Sequence, residues 1–411
     1  MQPACIIVGG GAAGLAAAAC FSRCGIPFLL AERLDRVGKK ILSTGSGRCN
    51  CSNLDMNAAH YGNAEDFVRQ AYQETPPENV RSFLSDLGLM LAEEDGRLYP
   101  RTMSAATVLD VLRAPLSASV GEVLTDCDIV SVTSRDASGN FTVTAKDGRS
   151  FSAPNLLICA GGSAAPKLGT NGSGVRLVQT LGHKAVPPVP ALVQLCCRPV
   201  FPALKGLHVH ASLSLRIDGT VEAKEEGELL FTDYGVSGVC TLQLSGMAAR
   251  TLQQRKSVRL AIDLLPEVTD KNWLADRLSV YGSLPLSDVF SGVFSRMLTQ
   301  TILKSAGLPL SAPADSLTDA ALQCLEDAIH AFPMEVTGTR GFENAQVTAG
   351  GIRTDEVCPQ TMESRLCPGL FLAGEVLDVD GPCGGYNLHF AFASAINAAR
   401  TVILRAQGDP A

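Results

Sequence analysis

Residues 4 to 8, ACIIV, form an unbroken apolar run too short for a helix, and the pattern predicts a buried β-strand. A glycine turn follows, then an alanine-rich stretch to Arg23 with high helix propensity, which Gly25 ends. PFLLA at 27–31 predicts a second strand closing on Glu32, so this end of the chain reads as a βαβ unit. Helical patterns return at 64–74, at 77–87 and from Ala105 to Leu116. Between Val123 and Cys159 apolar positions alternate with polar ones, punctuated by Ser138-Gly139-Asn140 and Asp147-Gly148, which predicts a small antiparallel meander. The apolar run NLLICAGG then ends on two glycines, as suits a return to a parallel sheet.

VPPVPALV at 186–193 breaks the pattern and predicts a domain crossing. Beyond it, strands are predicted near 193–198, 207–217, 219–223, 228–232 and 257–265, whereas 270–331 carries helical periodicity, with Thr318 capping a helix that ends near His330. VTGTR, NAQVTAGGI and GLFLAGEVLDVDG return to strands, and Asn387 to Gln407 reads as a closing helix. The expected organisation is an α/β domain in two segments, 1–188 and 345–411. Between them lie a β-rich inserted domain at 189–269, a helical one at 270–331 and a return of the β-rich part at 332–344.

Composition narrows the chemistry. With 46% apolar and 18% charged residues over 411 positions, the chain can bury a large core, and disorder is excluded. Lys and Arg number 34 against 41 Asp and Glu, a net charge of −7 with the basic residues scattered, so no nucleic-acid partner is expected. Most of the 14 cysteines sit in apolar runs as small hydrophobes, which implies a reducing compartment. The amino terminus lacks a basic n-region and no apolar run reaches the ~18 residues a membrane span needs, so the expectation is a cytoplasmic protein. The close pair His208-x-His210 is explained by alternation on a strand, and no metal is expected. No residue arrangement supports a hydrolase triad.

Gly9-x-Gly11-x-x-Gly14 falls where a strand becomes a helix, and Glu32 ends the next strand. Gly9 permits the tight turn, Gly11 lets a pyrophosphate approach the backbone, Gly14 allows close helix packing, and Glu32 can accept hydrogen bonds from a ribose. A second such fingerprint is missing: GTNGSG at 169–174 has the wrong spacing, so no dedicated nicotinamide domain is expected. Ser43 through Asn50 form a polar glycine loop containing Arg48 and Cys49. Cys49-x-Cys51 is not the CxxC spacing of a redox dithiol, and packing or contact with a bound group is favoured over dithiol exchange. Ala373-Gly374-Glu375 ends a strand with small residues and one carboxylate, and Gly384-Gly385-Tyr386-Asn387 opens the last helix, whose N-terminus favours negative charge.

KKILSTGSGRCNCSN, GRLYP, LLICAGGSAAPKLGTNGSG, GELLFTDYGVSG and TAGGI through GLFLAGEVLDVDGPCGGYNLHFAFASA together resemble the BaiN-like, or aminoacetone oxidase-type, family of FAD-dependent oxidoreductases. The resemblance implies a glutathione-reductase-like Rossmann domain in two pieces, with an insertion of a β-barrel-like and a helical part. It also implies an FAD site drawn from Gly9, Gly11, Ala12, Ala13, Gly14, Glu32, Arg33, Lys40, Ser43, Gly45, Gly47, Arg48, Cys49, Asn50, Ala160, Gly161, Gly162, Gly374, Glu375, Gly384, Gly385, Tyr386 and Asn387. The reaction it most specifically implies is reduction of an enone C=C bond in a small apolar substrate such as a 3-oxo steroid or bile acid, with NAD(P)H as transient electron donor. Alternatives are an O2-using amine oxidase and a flavin-binding RNA-modifying or partner-binding protein. Tyr386 is the first candidate proton donor and His389 the reserve. The resemblance departs at Asp233 and Val239, where many members of the family carry histidine and proline, so no role is carried over to those positions.

Overall fold

Strands from both ends of the chain meet in one five-stranded parallel sheet, in the spatial order Leu370–Leu372, Asn155–Ile158, Cys5–Val8, Phe28–Ala31 and Glu122–Leu124. The computed structural model describes residues 2–408. The first four strands are buried throughout, which is why they read as unbroken apolar runs. The helix Ala12–Arg23 packs against the closing helix Tyr386–Gln407. Ala16 to Ala19 are wholly buried on the first and Ala393, Ala395, Ala398 and Ala399 on the second, so small side chains let the two ends of the chain lie close.

The meander is shorter than its alternation predicts. Ile129–Thr133, Phe141–Ala145 and Ser150–Ala153 form a three-stranded antiparallel sheet, but Glu122–Leu124 instead edges the parallel sheet, because Asp126, at φ 51°, turns the chain between them. A further small sheet orders Ser52–Asn53, Arg97–Pro100 and Leu91–Glu94. The proline-rich segment is itself a strand, Ala185–Ala191, paired among the described residues only with Val347–Ile352, an arrangement in which missing N–H groups do little harm.

The chain divides into two compact units, one joining the residues up to Pro190 with those from Ala345 onward, the other Ala191–Asn344. The second unit holds a closed barrel in the order Leu195–Arg198, Gly235–Ser237, Thr220–Phe231, His208–Ile217, Val258–Asp263 and Phe332–Thr339. Its long strand Thr220–Phe231 is continuous where the pattern predicts two strands, since His208–Ile217 pairs along it on both sides of Gly227. Four helices lie between Trp273 and His330, the last capped by Thr318, whose hydroxyl accepts the Ala321 amide at 3.2 Å. The helix Val239–Gln253 is not predicted by the pattern: Thr241, Ser245, Gly246 and Thr251 are buried along with Leu244, so no apolar stripe marks it.

Candidate functional site

The amino-terminal turn has the geometry that its glycines require. Gly9 adopts φ 104°, and a Cβ there would lie 2.6 Å from the Cys159 carbonyl oxygen. A Cβ at Gly14 would overlap the Gly9 carbonyl, so both positions exclude any side chain, whereas a Cβ at Gly11 meets nothing within 4 Å. Gly11 therefore faces open space at a helix N-terminus without a side-chain cap, with Ala12 and Ala13 in the first turn. Gly374, at φ 75°, places Ala13 and the closing helix's Ala391 3.2 and 3.5 Å from where its Cβ would be.

Glu32 is buried at the end of its strand. Its carboxylate accepts the Gly10 amide at 2.8 Å and the Leu34 amide at 2.9 Å. Burial pushes this carboxyl above its ordinary range, and the two backbone donors and Arg33 counter that. Each oxygen can still accept from a ribose hydroxyl. Arg33 reaches the Asp128 carboxylate at 3.5 Å.

A second set of groups joins distant parts of the chain. Lys40 pairs with Glu375 at 2.8 Å, the other Glu375 oxygen accepts the Thr348 amide at 2.9 Å, and the Thr348 hydroxyl accepts the amides of Ser163 at 2.7 Å and Ala164 at 2.9 Å. Gly162 sits against this network, since a Cβ there would overlap Thr348 and stand 2.9 Å from Glu375 Oε1. Gly161, at φ 67°, packs on Thr170, and Ala160 lies against Gly9. A pocket of about 250 Å³ bordered by Gly162, Ser163, Arg176, Thr348, Gly350 and Gly351 opens beside this network. Neither Thr348 nor Gly10 was singled out from the sequence; TAGGI was the signal for the first, and the second sits inside the fingerprint.

The polar loop folds as short 3₁₀ turns over Ile41–Gly47, with Gly45 and Ser46 at φ 54° and 55°. Ser43 bonds back to the Lys40 carbonyl, while Arg48 pairs with Glu94 at 3.0 Å and lies over the Tyr99 ring. Cys49, also left-handed at φ 57°, and Cys51 are wholly buried with sulfurs 3.9 Å apart. The hydrogen bond from Cys51 holds the Cys49 thiol below its ordinary value and, with burial, pushes Cys51 up. Asn50 meets the glycine pair at the closing helix: a Cβ at Gly385 would lie 2.7 Å from Asn50 Oδ1, and that buried oxygen has no protein hydrogen-bond partner.

Gly384 and Gly385 take φ 136° and 96° and begin the closing helix, with no side-chain cap. Asn387 is committed to the preceding loop, its amide bridging the N–H and carbonyl of Gly381 at 2.9 and 2.8 Å. The Tyr386 phenol is raised above its ordinary value, chiefly by burial, so it remains a proton donor at neutral pH. His389 lies in the interior with Nδ1 2.8 Å from Ser52 Oγ, and burial drives its pKa down to about 3. Sequence reasoning passed over His60, whose ring lies tilted at 49° beside that of Tyr386 with centroids 4.7 Å apart, and whose Nε2 meets Asp55 at 2.8 Å. A lone histidine five residues after an aspartate carries no pattern that reveals this.

These residues fit an FAD. Gly11 leaves open space at an uncapped helix N-terminus for a pyrophosphate, Glu32 and Glu375 offer acceptors to ribose and ribityl hydroxyls, and the orphaned Asn50 oxygen awaits an N–H donor beside an uncapped helix start. Among the described residues no helix is long and apolar enough to cross a membrane.

Comparison with known proteins gives the family. The chain is 35% identical over 406 residues to the 3-dehydro-bile acid delta(4,6)-reductase of Clostridium scindens, covering 97% of this chain and 98% of that protein. It is 28% identical over 404 residues to a ribosomal RNA dihydrouridine synthase of Haemophilus influenzae, again covering 97% and 98%. The solved 3-ketosteroid delta1-dehydrogenase of Sterolibacterium denitrificans, in complex with 1,4-androstadiene-3,17-dione, shares the fold, with a TM-score of 0.53 at 13% identity over 98% of this chain and 100% of that one. The HI0933-like protein Rossmann domain matches residues 3–401. The chain belongs to this HI0933-like family, the one its motifs resemble, and is an FAD-dependent oxidoreductase.

Proposed function

We propose that the protein reduces a carbon–carbon double bond conjugated to a carbonyl in a 3-oxo steroid or bile-acid-like substrate, with NAD(P)H as electron source. The observation that carries this reading is the 35% identity, over nearly the whole of both chains, to a reductase of 3-dehydro bile acids. Bound FAD supplies the hydride chemistry. The protein's part is to hold the cofactor through the fingerprint turn, Glu32, Glu375 and the Gly384-Gly385 helix start, and to complement the charge that reduction creates on the substrate. When a hydride reaches the β-carbon of an enone, negative charge develops on the carbonyl oxygen, and a positioned phenol lowers that barrier. Tyr386, the first residue of the closing helix, is the residue to which this reading gives that role. With one dinucleotide fingerprint in the chain, the nicotinamide is a visitor that leaves before the substrate binds.

A second reading has an observation of its own, the 28% identity to a ribosomal RNA dihydrouridine synthase. Uridine and an enone share the relevant chemistry, a ring double bond conjugated to a carbonyl. The net charge of −7 favours the small substrate, since an RNA backbone is bound through clustered cations. Anaerobic mixing separates these readings and the amine-oxidase alternative. NADH or NADPH should bleach the yellow protein, and a 3-oxo-4-ene steroid should restore the colour while gaining two hydrogens by mass spectrometry. Bleaching by aminoacetone instead, or reoxidation by ribosomal RNA and not by the steroid, overturns the proposal.

A further inference from the structure

We infer that His60, oriented by Asp55, is the acid that protonates the α-carbon of the substrate while Tyr386 holds its carbonyl oxygen; this rests on the enone-reductase reading above. The geometry ties the pair to the start of the closing helix from two sides. Asp55 donates its backbone N–H to Asn53 Oδ1 at 3.0 Å, and Asn53 Nδ2 donates to the Gly384 carbonyl at 2.9 Å. On the other side Tyr61, the residue after His60, donates its hydroxyl to the Tyr386 carbonyl at 2.9 Å and pairs with the buried Tyr72 hydroxyl at 2.7 Å. Between these anchors the His60 ring lies on the Tyr386 ring, centroids 4.7 Å apart at 49°.

The pair has the features a proton donor needs. Asp55 Oδ2 meets His60 Nε2 at 2.8 Å, so the carboxylate fixes the ring's orientation and leaves Nδ1 as the working nitrogen. The His60 side chain is 35% exposed, so the ring can be recharged from water. The hydrogen bond from His60 holds the Asp55 carboxyl below its usual range, which keeps it ionised. His389 lacks these features, being wholly buried and neutral at physiological pH. The charged and titratable groups around the pair are Asp55 on its own loop, Tyr386 on the closing helix, and Arg97 on the strand Arg97–Pro100, whose charge opposes that of Asp55 at the Tyr386 phenol.

The step balances. A hydride adds to the β-carbon, and the π pair moves through the α-carbon to the carbonyl oxygen, where the Tyr386 hydroxyl receives its charge. The α-carbon then forms a C–H bond as the His60 Nδ1–H bond breaks, its electron pair staying on nitrogen. Neutral His60 regains a proton from solvent, and the substrate has gained one hydride and one proton.

The test uses the FAD-loaded protein, reduced with NAD(P)H and mixed with a 3-oxo-4-ene steroid across the pH range. His60→Gln should slow reoxidation by about 100-fold and flatten the pH profile measured on the unmodified enzyme, with bleaching by NAD(P)H unchanged. Asp55→Asn should slow reoxidation in the same direction as His60→Gln, because the ring loses the carboxylate that orients it at 2.8 Å. A second readout is the ¹⁵N-imidazole signal that disappears in His60→Gln: it should shift when steroid is added to the oxidised protein. Wild-type reoxidation rates with the pH dependence intact in His60→Gln, or an imidazole signal indifferent to steroid, overturn the inference and leave the enone-reductase reading standing. Failure of the unmodified enzyme to be reoxidised by the steroid overturns both.

Discussion

Lys40 Nζ lies 2.8 Å from Glu375 Oε2, an ion pair between residues 335 positions apart. The Thr348 amide holds the other oxygen of the same carboxylate, so Glu375 is oriented from two sides beside Gly162. Lys40→Ala should release one side and weaken FAD binding by about tenfold, while Lys40→Arg should keep most of it. Equilibrium titration of the flavin-free protein with FAD measures this, and an unchanged affinity in Lys40→Ala removes the pair from the cofactor site.

Thr348 bears on stability. Its hydroxyl is the acceptor for the amides of Ser163 and the wholly buried Ala164, and the residue is itself buried. Thr348→Val keeps the shape and strands those amides, at a cost of about 1–3 kcal/mol for the Ala164 N–H alone. Thr348→Ser should stay within about 1 kcal/mol of the unmodified protein. The denaturant midpoint reads the difference, and equal midpoints for Val and Ser count against the network.

His389 should make the protein sensitive to acid. Its pKa falls from 6.5 to about 3 on folding, so between those values the unfolded chain binds a proton that the native state does not. Stability should therefore fall as pH drops from 6.5 toward 3, by about 1.4 kcal/mol per unit from this group. His389→Asn should flatten the slope of unfolding free energy against pH in that window; a slope unchanged by the substitution assigns the acid sensitivity to other groups.

Gly385 admits no side chain. At φ 96°, with a Cβ that would overlap the Ser52 carbonyl and approach Asn50 Oδ1, Gly385→Ala should displace the Asn50 loop from the helix start. The expected result is purified protein with little bound flavin and a native circular dichroism spectrum. Full flavin content would show that this contact does not shape the cofactor site.

Tyr386→Phe should slow steroid reduction by about 100-fold, the loss seen when one donor to a developing oxyanion is removed. FAD content and bleaching by NAD(P)H should be nearly unchanged. Turnover at the unmodified rate would assign Tyr386 to packing against Tyr61 and His60, both of which its ring already touches.

Much of the fold was legible because its demands are local. Cys5–Val8 and Phe28–Ala31 are buried on both faces, so their apolar character shows in the sequence, and the turn between strand and helix requires glycine at Gly9 and Gly14 for reasons contained within a few residues. Glu32 was legible in the same way, since a carboxylate at the end of a buried strand is conspicuous against its neighbours. The helix Val239–Gln253 was not legible, because its buried face mixes polar and small residues, nor was the place of Glu122–Leu124 at the sheet edge, because pairing with Phe28–Ala31 depends on a partner about ninety residues away.

The candidate site divides along the same line. The sequence by itself determined which segments carry glycine turns and carboxylates, because steric permission and hydrogen-bonding capacity belong to residue types. Only the tertiary structure decided that Lys40 meets Glu375, that Thr348 gathers two amides, that Asn50 is left with a buried free oxygen beside Gly385, and that His60 rests on Tyr386 while His389 is sealed inside. Those relationships join residues separated by up to 335 positions, and nothing in the neighbourhood of either partner records the other. The chemistry of a side chain is local, but its basicity, orientation and access to substrate are set by whatever the fold packs against it.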